Sequence, residues 1–129
     1  MKASVLHKFC TPPIFEEIDD PVCGPNSVVI ELKACGVCRS DHHAWSGNDP
    51  DVKLPHIMGH ELAGIIVETG SDIKKFSIGD PVTVPFILGC GLCSDCQTGN
   101  STICDRQETI GFTIRGGFAQ FVEICFADF

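Results

Sequence analysis

The sequence predicts a mainly β fold, in which one barrel-like domain over residues 1–129 carries a long cysteine-rich loop and few short helices. Short segments of alternating or β-branched apolar residues are typical of strands. The 13 glycines and 8 prolines interrupt the chain, as the turns of small β-barrels do. A length of 129 residues allows one domain with a modest core.

The first predicted strand covers residues 27–35. In this segment Val28, Ile30, Leu32 and Ala34 alternate with their neighbours, so that all four would share one buried face.

Four further elements are predicted from the same kinds of pattern. Residues 40–45 form a short helix with Ser40 as its N-cap, because a serine hydroxyl readily accepts a backbone N–H at a helix start. Apolar runs at 62–67, 82–84 and 118–124 predict three more strands.

Charge and hydrophobicity exclude several classes of partner. The formal net charge is −8, whereas surfaces that track nucleic acid phosphates are basic. No run approaches the roughly 18 apolar residues of a membrane span, and the first ten residues lack the apolar stretch of a secretory signal. We therefore expect a cytoplasmic protein that binds neither nucleic acid nor membranes.

Four of the nine cysteines form a cluster with metal-ligand spacing. Cys90, Cys93, Cys96 and Cys104 stand as C-x2-C-x2-C-x7-C, with several glycines that allow tight bends. Four thiolates can close a tetrahedron around Zn²⁺ and leave no open position. The spacing therefore predicts a structural zinc lobe at about residues 88–106.

Three other interpretations of this cluster have less support. An iron–sulfur cluster also takes four thiolates, but the bacterial ferredoxin pattern has a shorter last gap and a following proline. Disulfides are disfavoured by the odd number of cysteines, nine, and by the expected reducing compartment. A thiol redox switch would need labile ligands and a resolving pair of cysteines.

A second group of metal-ligand residues is weaker by itself. Cys38 follows the first predicted strand, and His60 and Glu61 stand just before the next one. A catalytic zinc needs three protein ligands and one open position. Spacing alone leaves open whether His60 is a ligand or a structural histidine.

Four motifs together resemble the zinc-containing alcohol dehydrogenases of the medium-chain dehydrogenase/reductase family. Residues 59–73 are similar to the family signature G-H-E-x2-G-x5-G-x2-[IV], and residues 36–41 to its first ligand loop. Residues 79–82 resemble its G-D-x-V turn, and the four-cysteine spacing resembles its structural zinc site. The motifs occur in the family's order over about residues 24–125, which implies the N-terminal, GroES-like catalytic domain.

The resemblance implies ligand roles for one set of residues. Cys38 and His60 match two ligands of the catalytic zinc, and Glu61 matches a nearby carboxylate that is an alternate ligand or lies behind the ligands. Asp41 matches the carboxylate that orients the ligand histidine.

The resemblance also implies a catalytic role for the start of the helix. Ser40 matches the hydroxyl group that contacts the alcohol oxygen, His43 the outer histidine of a proton relay, and Arg39 a contact to the cofactor pyrophosphate. The implied reaction uses zinc as a Lewis acid, releases a proton through Ser40 and His43, and transfers hydride to NAD or NADP.

The chain departs from the family in what it lacks. The family's third catalytic ligand and its Rossmann domain follow this domain, and the sequence contains no G-x-G-x-x-G segment after a strand. We therefore expect the isolated chain to be inactive and the catalytic zinc site to be incomplete. The full-length enzyme would be a homodimer or homotetramer that acts on a small alcohol or aldehyde. A non-catalytic, zinc-stabilised binding module is the alternative.

The remaining cysteines and one histidine have simpler interpretations. Cys10, Cys23, Cys35 and Cys125 have no partner at metal spacing and are expected to be small buried hydrophobic residues. His56 follows a proline just before the ligand loop; it could line the site, but a turn residue is the favoured interpretation.

Overall fold

The computed structural model describes all 129 residues and is built mainly of β-strands. The strands are β1 (Lys2–Val5), β2 (Ile14–Glu17), β3 (Val28–Gly36), β4 (Glu61–Thr69), β5 (Pro81–Thr83), β6 (Ile87–Leu88), β7 (Glu108–Thr109) and β8 (Phe121–Ile124). The helices are α1 (Arg39–Ser46), α2 (Ser94–Gln97) and the 3-10 turn η1 (Ser101–Ile103). The prediction of a mainly β fold is confirmed.

One antiparallel sheet of four strands, in the order β5-β4-β3-β8, forms the centre of the fold. Its longest ladder joins the nine-residue strands β3 and β4, from Val28 opposite Thr69 to Gly36 opposite Glu61. Two small sheets, β1-β2 and β6-β7, flank it. The pairing of Gly36 with Glu61 brings the segment that leaves β3 next to the segment that enters β4.

Strand β3 does not keep one side chain alternation along its length. The register with β4 shifts between Val29 and Ile30 and again between Leu32 and Ala34. Such irregularities rotate the strand, so the buried face changes. Beyond the second irregularity Ala34 is exposed while Cys35 packs against the core. Val29 is also buried, although it does not belong to the cluster that holds Val28 and Ile30. The predicted single face is wrong at these positions.

Two buried clusters hold the sheet and the helix in place. The larger one lies on the sheet and consists of Val28, Ile30, Leu62, Ile66, Leu88, Ile110, Val122 and Ile124. The second packs helix α1 against the rest of the domain through Leu6, Ala44, Val52, Met58 and Phe112. Since Ala44 is fully buried, the opposite face of the short helix is free to carry polar groups.

Several local predictions need correction. The N-cap of α1 is Cys38, whose side chain accepts the backbone N–H of Ser40, so Ser40 is not the cap. Cys10 is exposed and the other three unassigned cysteines are only half-buried, so the expectation of buried hydrophobic residues is wrong for Cys10. His56 is buried and pairs with Leu6 through the backbone, because the N-terminal strand covers it, and so it is not a turn residue.

The apolar runs at 62–67 and 82–84 correspond to β4 and β5, and the run at 118–124 ends in β8. Strands β1, β2, β6 and β7 were not predicted, since each spans only two to four residues. No helix in the structure has the length and apolar character needed to cross a bilayer.

Candidate metal centres

The four predicted cysteine ligands converge at one point of the fold. The Sγ atoms of Cys90, Cys93, Cys96 and Cys104 all lie within 4.8 Å of one another. The Cys93 and Cys104 sulfur atoms are 3.8 Å apart, and the vertices of a tetrahedron with Zn–S bonds of about 2.3 Å are also about 3.8 Å apart. All nine cysteines are free thiols, so the structure excludes a disulfide framework. The donor set fits zinc.

The local backbone explains why these sulfur atoms meet. Cys93 caps α2, and its sulfur atom accepts the N–H of Cys96 at 3.5 Å. Gly91 has a φ of 71°, a left-handed conformation that favours glycine, and the ring of Phe129 lies directly over it where a β-carbon would stand. The turn at Gly91 thus reverses the chain between the first two ligands.

The electrostatics of the cluster favour a bound cation. The N–H of Leu92 donates to the Cys90 sulfur atom, and chiefly this bond lowers the pKa of Cys90 to about 6. Burial, chiefly, raises the pKa of Cys96 to about 12. Burial thus opposes ionisation of the Cys96 thiol, because a thiolate at that position is poorly solvated. A dication removes that penalty, because metal binding deprotonates the thiols that it binds.

A second group forms where β3 and β4 meet. The Sγ atom of Cys38 lies 3.1 Å from Nε2 of His60, and the donor atoms of Cys38, Asp41 and His60 all lie within 4.8 Å of one another. His60 is only 8% exposed and Asp41 only 4%. A tetrahedral zinc with one sulfur and one nitrogen ligand would separate these atoms by about 3.6 Å, so a small outward movement of the side chains would admit the ion.

Asp41 holds the second group together. Its carboxylate accepts the N–H of Cys38 at 2.9 Å and the N–H of Gly59 at 3.1 Å. Oδ1 of Asp41 lies 3.3 Å from Nδ1 of His60, but the two are not aligned as a hydrogen bond, and Nδ1 has no other partner. The carboxylate thus links the loop before α1 to the loop before β4. It lies beside Nδ1 of His60, whereas Cys38 lies beside Nε2.

Two phenylalanine rings enclose the histidine. The centroid of the His60 ring is 5.1 Å from that of Phe86 and 5.6 Å from that of Phe112, and the two phenylalanine rings are 5.5 Å apart. The rings shield one side of the imidazole from water. Sequence reasoning missed both residues, because nothing in their local pattern distinguishes them from other apolar positions.

The other predicted site residues lie around this group, but not all within it. The carboxylate of Glu61 is exposed and rests against Gly36, and Glu61 does not belong to the group of mutually close donors. Ser40 is half-buried in the first turn of α1, and His43 is exposed one turn later. Arg39 is exposed and forms no ion pair.

Comparison with known proteins agrees with this architecture. Residues 24–127 match the family model described as the alcohol dehydrogenase GroES-like domain. An alcohol dehydrogenase of Geobacillus stearothermophilus is 39% identical over 123 residues, which cover 94% of this chain and 36% of that protein. An L-galactonate-5-dehydrogenase of Escherichia coli is 32% identical over 111 residues, 86% of this chain and 33% of that protein.

A solved structure shows the same fold. The cobalt- and zinc-bound thermostable alcohol dehydrogenase of Pyrobaculum aerophilum superposes with a TM-score of 0.85 at 34% identity, over 97% of this chain and 39% of that one. The chain thus spans little more than a third of the length of the relatives that it matches. Because the family match covers most of its residues, the chain belongs to the alcohol dehydrogenase GroES-like domain family.

Proposed function

We propose that this chain is the zinc-binding catalytic domain of an alcohol dehydrogenase that oxidises an alcohol to an aldehyde or ketone with NAD or NADP. The observation that carries the proposal is the 3.1 Å approach of Cys38 Sγ to His60 Nε2, with the Asp41 carboxylate on the other side of the ring. Several of the relatives are named as alcohol dehydrogenases, one of them as NAD-dependent, which supports this reaction class.

Cys38 and His60 would hold the catalytic metal. Its donor set of one sulfur and one imidazole nitrogen suits zinc, and in the family reaction zinc polarises the alcohol oxygen while a nicotinamide accepts the hydride. The N–H of Ser40 donates to the Cys38 sulfur atom at 3.3 Å and so orients it toward His60. Glu61 remains a candidate for a further carboxylate beside the metal.

Asp41 would select the useful tautomer of the histidine. A carboxylate beside Nδ1 favours the form with hydrogen on that nitrogen, which leaves the lone pair of Nε2 for a metal. Because Asp41 is itself fixed by two backbone N–H groups, it can act as a rigid support.

The exposed face of α1 would carry the proton and contact the cofactor. The Ser40 hydroxyl would contact the alcohol oxygen and pass its proton toward His43, which reaches solvent. Arg39, free of carboxylate partners, would contact the cofactor pyrophosphate. Phe86 and Phe112 would keep water away from the imidazole on the inner side.

The second centre would have a structural role. We assign zinc to the four cysteines of residues 88–106, because four thiolates leave no position open for a substrate. The catalytic site of this chain would stay incomplete, since only two firm ligands are present and a catalytic zinc takes three. We accordingly expect no alcohol oxidation by residues 1–129 alone. In the complete enzyme we expect a cytoplasmic homodimer or homotetramer.

The test uses the polypeptide encoded by the intact gene. Primary and secondary alcohols are offered with NAD⁺ or NADP⁺, and formation of the reduced nicotinamide is followed. We expect oxidation that His60→Asn abolishes and that His42→Asn, at an exposed position of helix α1, leaves intact. Wild-type protein without any cofactor-dependent oxidation, from a gene that encodes no G-x-G-x-x-G segment, would instead favour a zinc-stabilised binding module.

A further inference from the structure

We propose that Arg106 is the positive counter-charge of the four-cysteine centre and that its guanidinium group controls how firmly this centre retains its metal ion. The inference rests on the proposed zinc at Cys90, Cys93, Cys96 and Cys104. It adds a residue that acts on the metal only through the sulfur ligands, and so a positioning residue.

Arg106 contacts two of the four ligands. Its Nη2 atom donates to the Cys90 sulfur atom at 3.1 Å, and its backbone N–H donates to the Cys104 sulfur atom at 3.3 Å. The first contact joins a cation to a thiol that becomes an anion when metal binds, and such charge-assisted bonds are about twice as strong as neutral ones. The second contact belongs to the backbone and fixes the position of the residue.

These two ligands are the ones that water reaches least. Cys90 is 0% and Cys104 is 1% exposed, whereas Cys93 and Cys96 are half-buried. A buried anion without water needs hydrogen-bond donors or a counter-ion. Arg106, exposed over much of its length, brings a charge from the surface to a sulfur atom that solvent does not stabilise.

The charge balance of the lobe points to the same residue. Four thiolates around a dication leave a net charge of about −2, and the segment from 88 to 106 also contains Asp95 and Asp105. Arg106 is the only basic residue of that segment. Its guanidinium group makes no ion pair with a carboxylate, so its charge is directed to the sulfur.

Loss of this charge would increase the repulsion among the four ligands and weaken their hold on the metal. The test replaces Arg106 by methionine, which keeps an unbranched apolar side chain without the charge. Arg115→Met is the matched control, because Arg115 is an exposed arginine outside the lobe and both variants lose one positive charge. The backbone contact to Cys104 is unchanged in each.

The measurement is the rate at which the folded 129-residue chain transfers zinc to an excess of a chromophoric chelator, at fixed pH and ionic strength. We expect roughly tenfold faster transfer from Arg106→Met. Loss of a residue that hydrogen-bonds a metal ligand typically weakens metal binding by about 10- to 100-fold, and tenfold is the lower end of that range. Arg115→Met should transfer zinc at the wild-type rate. Equal rates for all three proteins would overturn the role of Arg106.

Arg106→Gln keeps the test decisive if the methionine variant does not fold. Glutamine retains an N–H donor but no charge, so it should also release zinc several-fold faster, and a wild-type rate would contradict the proposal. The zinc assignment and the role of Arg106 are tested separately. A wild-type chain that binds no zinc refutes the metal assignment together with this proposal, whereas zinc held equally by wild type and Arg106→Met refutes only the proposal.

Discussion

Gly36 at the end of β3 lies opposite Glu61 at the start of β4, and this pairing places Cys38 3.1 Å from His60. Cys38 stands two residues beyond one strand and His60 one residue before the other. The register of the ladder between these two long strands therefore sets the distance between the two metal-ligand side chains. Any change that shifts this ladder is expected to separate the two metal-ligand side chains.

Substitution of Gly64 tests that ladder. A β-carbon at Gly64 would collide with the carbonyl oxygen of Glu31 on the neighbouring strand and would lie 2.6 Å from Cγ2 of Ile30. Because backbone must move, Gly64→Ala should lower the free energy of unfolding by about 2 kcal/mol, measured by denaturant titration. Gly24→Ala, whose β-carbon would meet flexible side-chain atoms no closer than 3.1 Å, should cost much less, and equal losses would refute the close-approach argument.

Asp41 is expected to support the second metal centre. Asp41→Asn keeps the size of the side chain but removes the charge that faces Nδ1 of His60, so the affinity of the Cys38–His60 site for Co²⁺ should fall roughly tenfold or more. The measurement is a Co²⁺ titration of protein that already holds zinc in the four-cysteine centre, followed by the visible absorption of the bound cobalt. Asp51→Asn, at an exposed position, is the control, and unchanged affinity in Asp41→Asn would argue against the supporting role.

His56 is expected to make the fold sensitive to acid. Burial, chiefly, lowers the pKa of His56 from its ordinary value of 6.5, and the charge of Arg115 acts in the same direction. Its Nε2 atom is buried without a hydrogen-bond partner. Because the unfolded chain binds a proton more readily at this group, its contribution to stability is fully present above pH 6.5 and is lost as the pH falls below that value toward the lower folded-state pKa.

The variant His56→Leu should remove part of this dependence. The free energy of unfolding is measured by denaturant titration on both sides of the ordinary histidine pKa, and the loss on acidification should be smaller in the variant than in the wild type. His7→Leu, at an exposed histidine, is the control. An identical loss in His56→Leu and wild type would mean that the pKa of His56 is the same in the folded and unfolded states.

The two rings beside His60 should differ in their effect on stability. Phe112 is 5% exposed and belongs to the cluster that anchors α1, whereas Phe86 is 42% exposed. Phe112→Ala should therefore destabilise the chain by about 3–5 kcal/mol, as truncations of buried phenylalanine do, and Phe86→Ala by clearly less. Thermal unfolding of both variants checks this, and equal losses would show that Phe86 is also part of the core.

The four-cysteine centre could be predicted from the sequence because its ligands are close along the chain. Three of them lie within seven residues, and the fourth follows in the same loop. A short glycine-containing loop can bring four ligands to one ion in few ways, so the spacing of the cysteines in the sequence predicts how they are arranged. Strand β3 was also predicted from its alternation of apolar and polar residues, and β4 from its β-branched apolar run.

The second centre could not be derived from spacing. The approach of Cys38 to His60 depends on a ladder that contains two irregularities, and no local pattern reports its register. The resemblance to a family supplied that pairing. Phe86 and Phe112 come to His60 from other segments, and Arg106 reaches Cys90 through a side chain whose direction the sequence does not encode.

The most direct measurement of the metal assignment is the metal content and sulfur coordination of the purified chain, by elemental analysis and X-ray absorption at the zinc edge. We expect close to one tightly held zinc per chain with four sulfur neighbours, and loss of both zinc and folded structure in Cys93→Ser. Iron in place of zinc, or a folded chain whose cysteines form disulfides and hold no metal, would contradict the account.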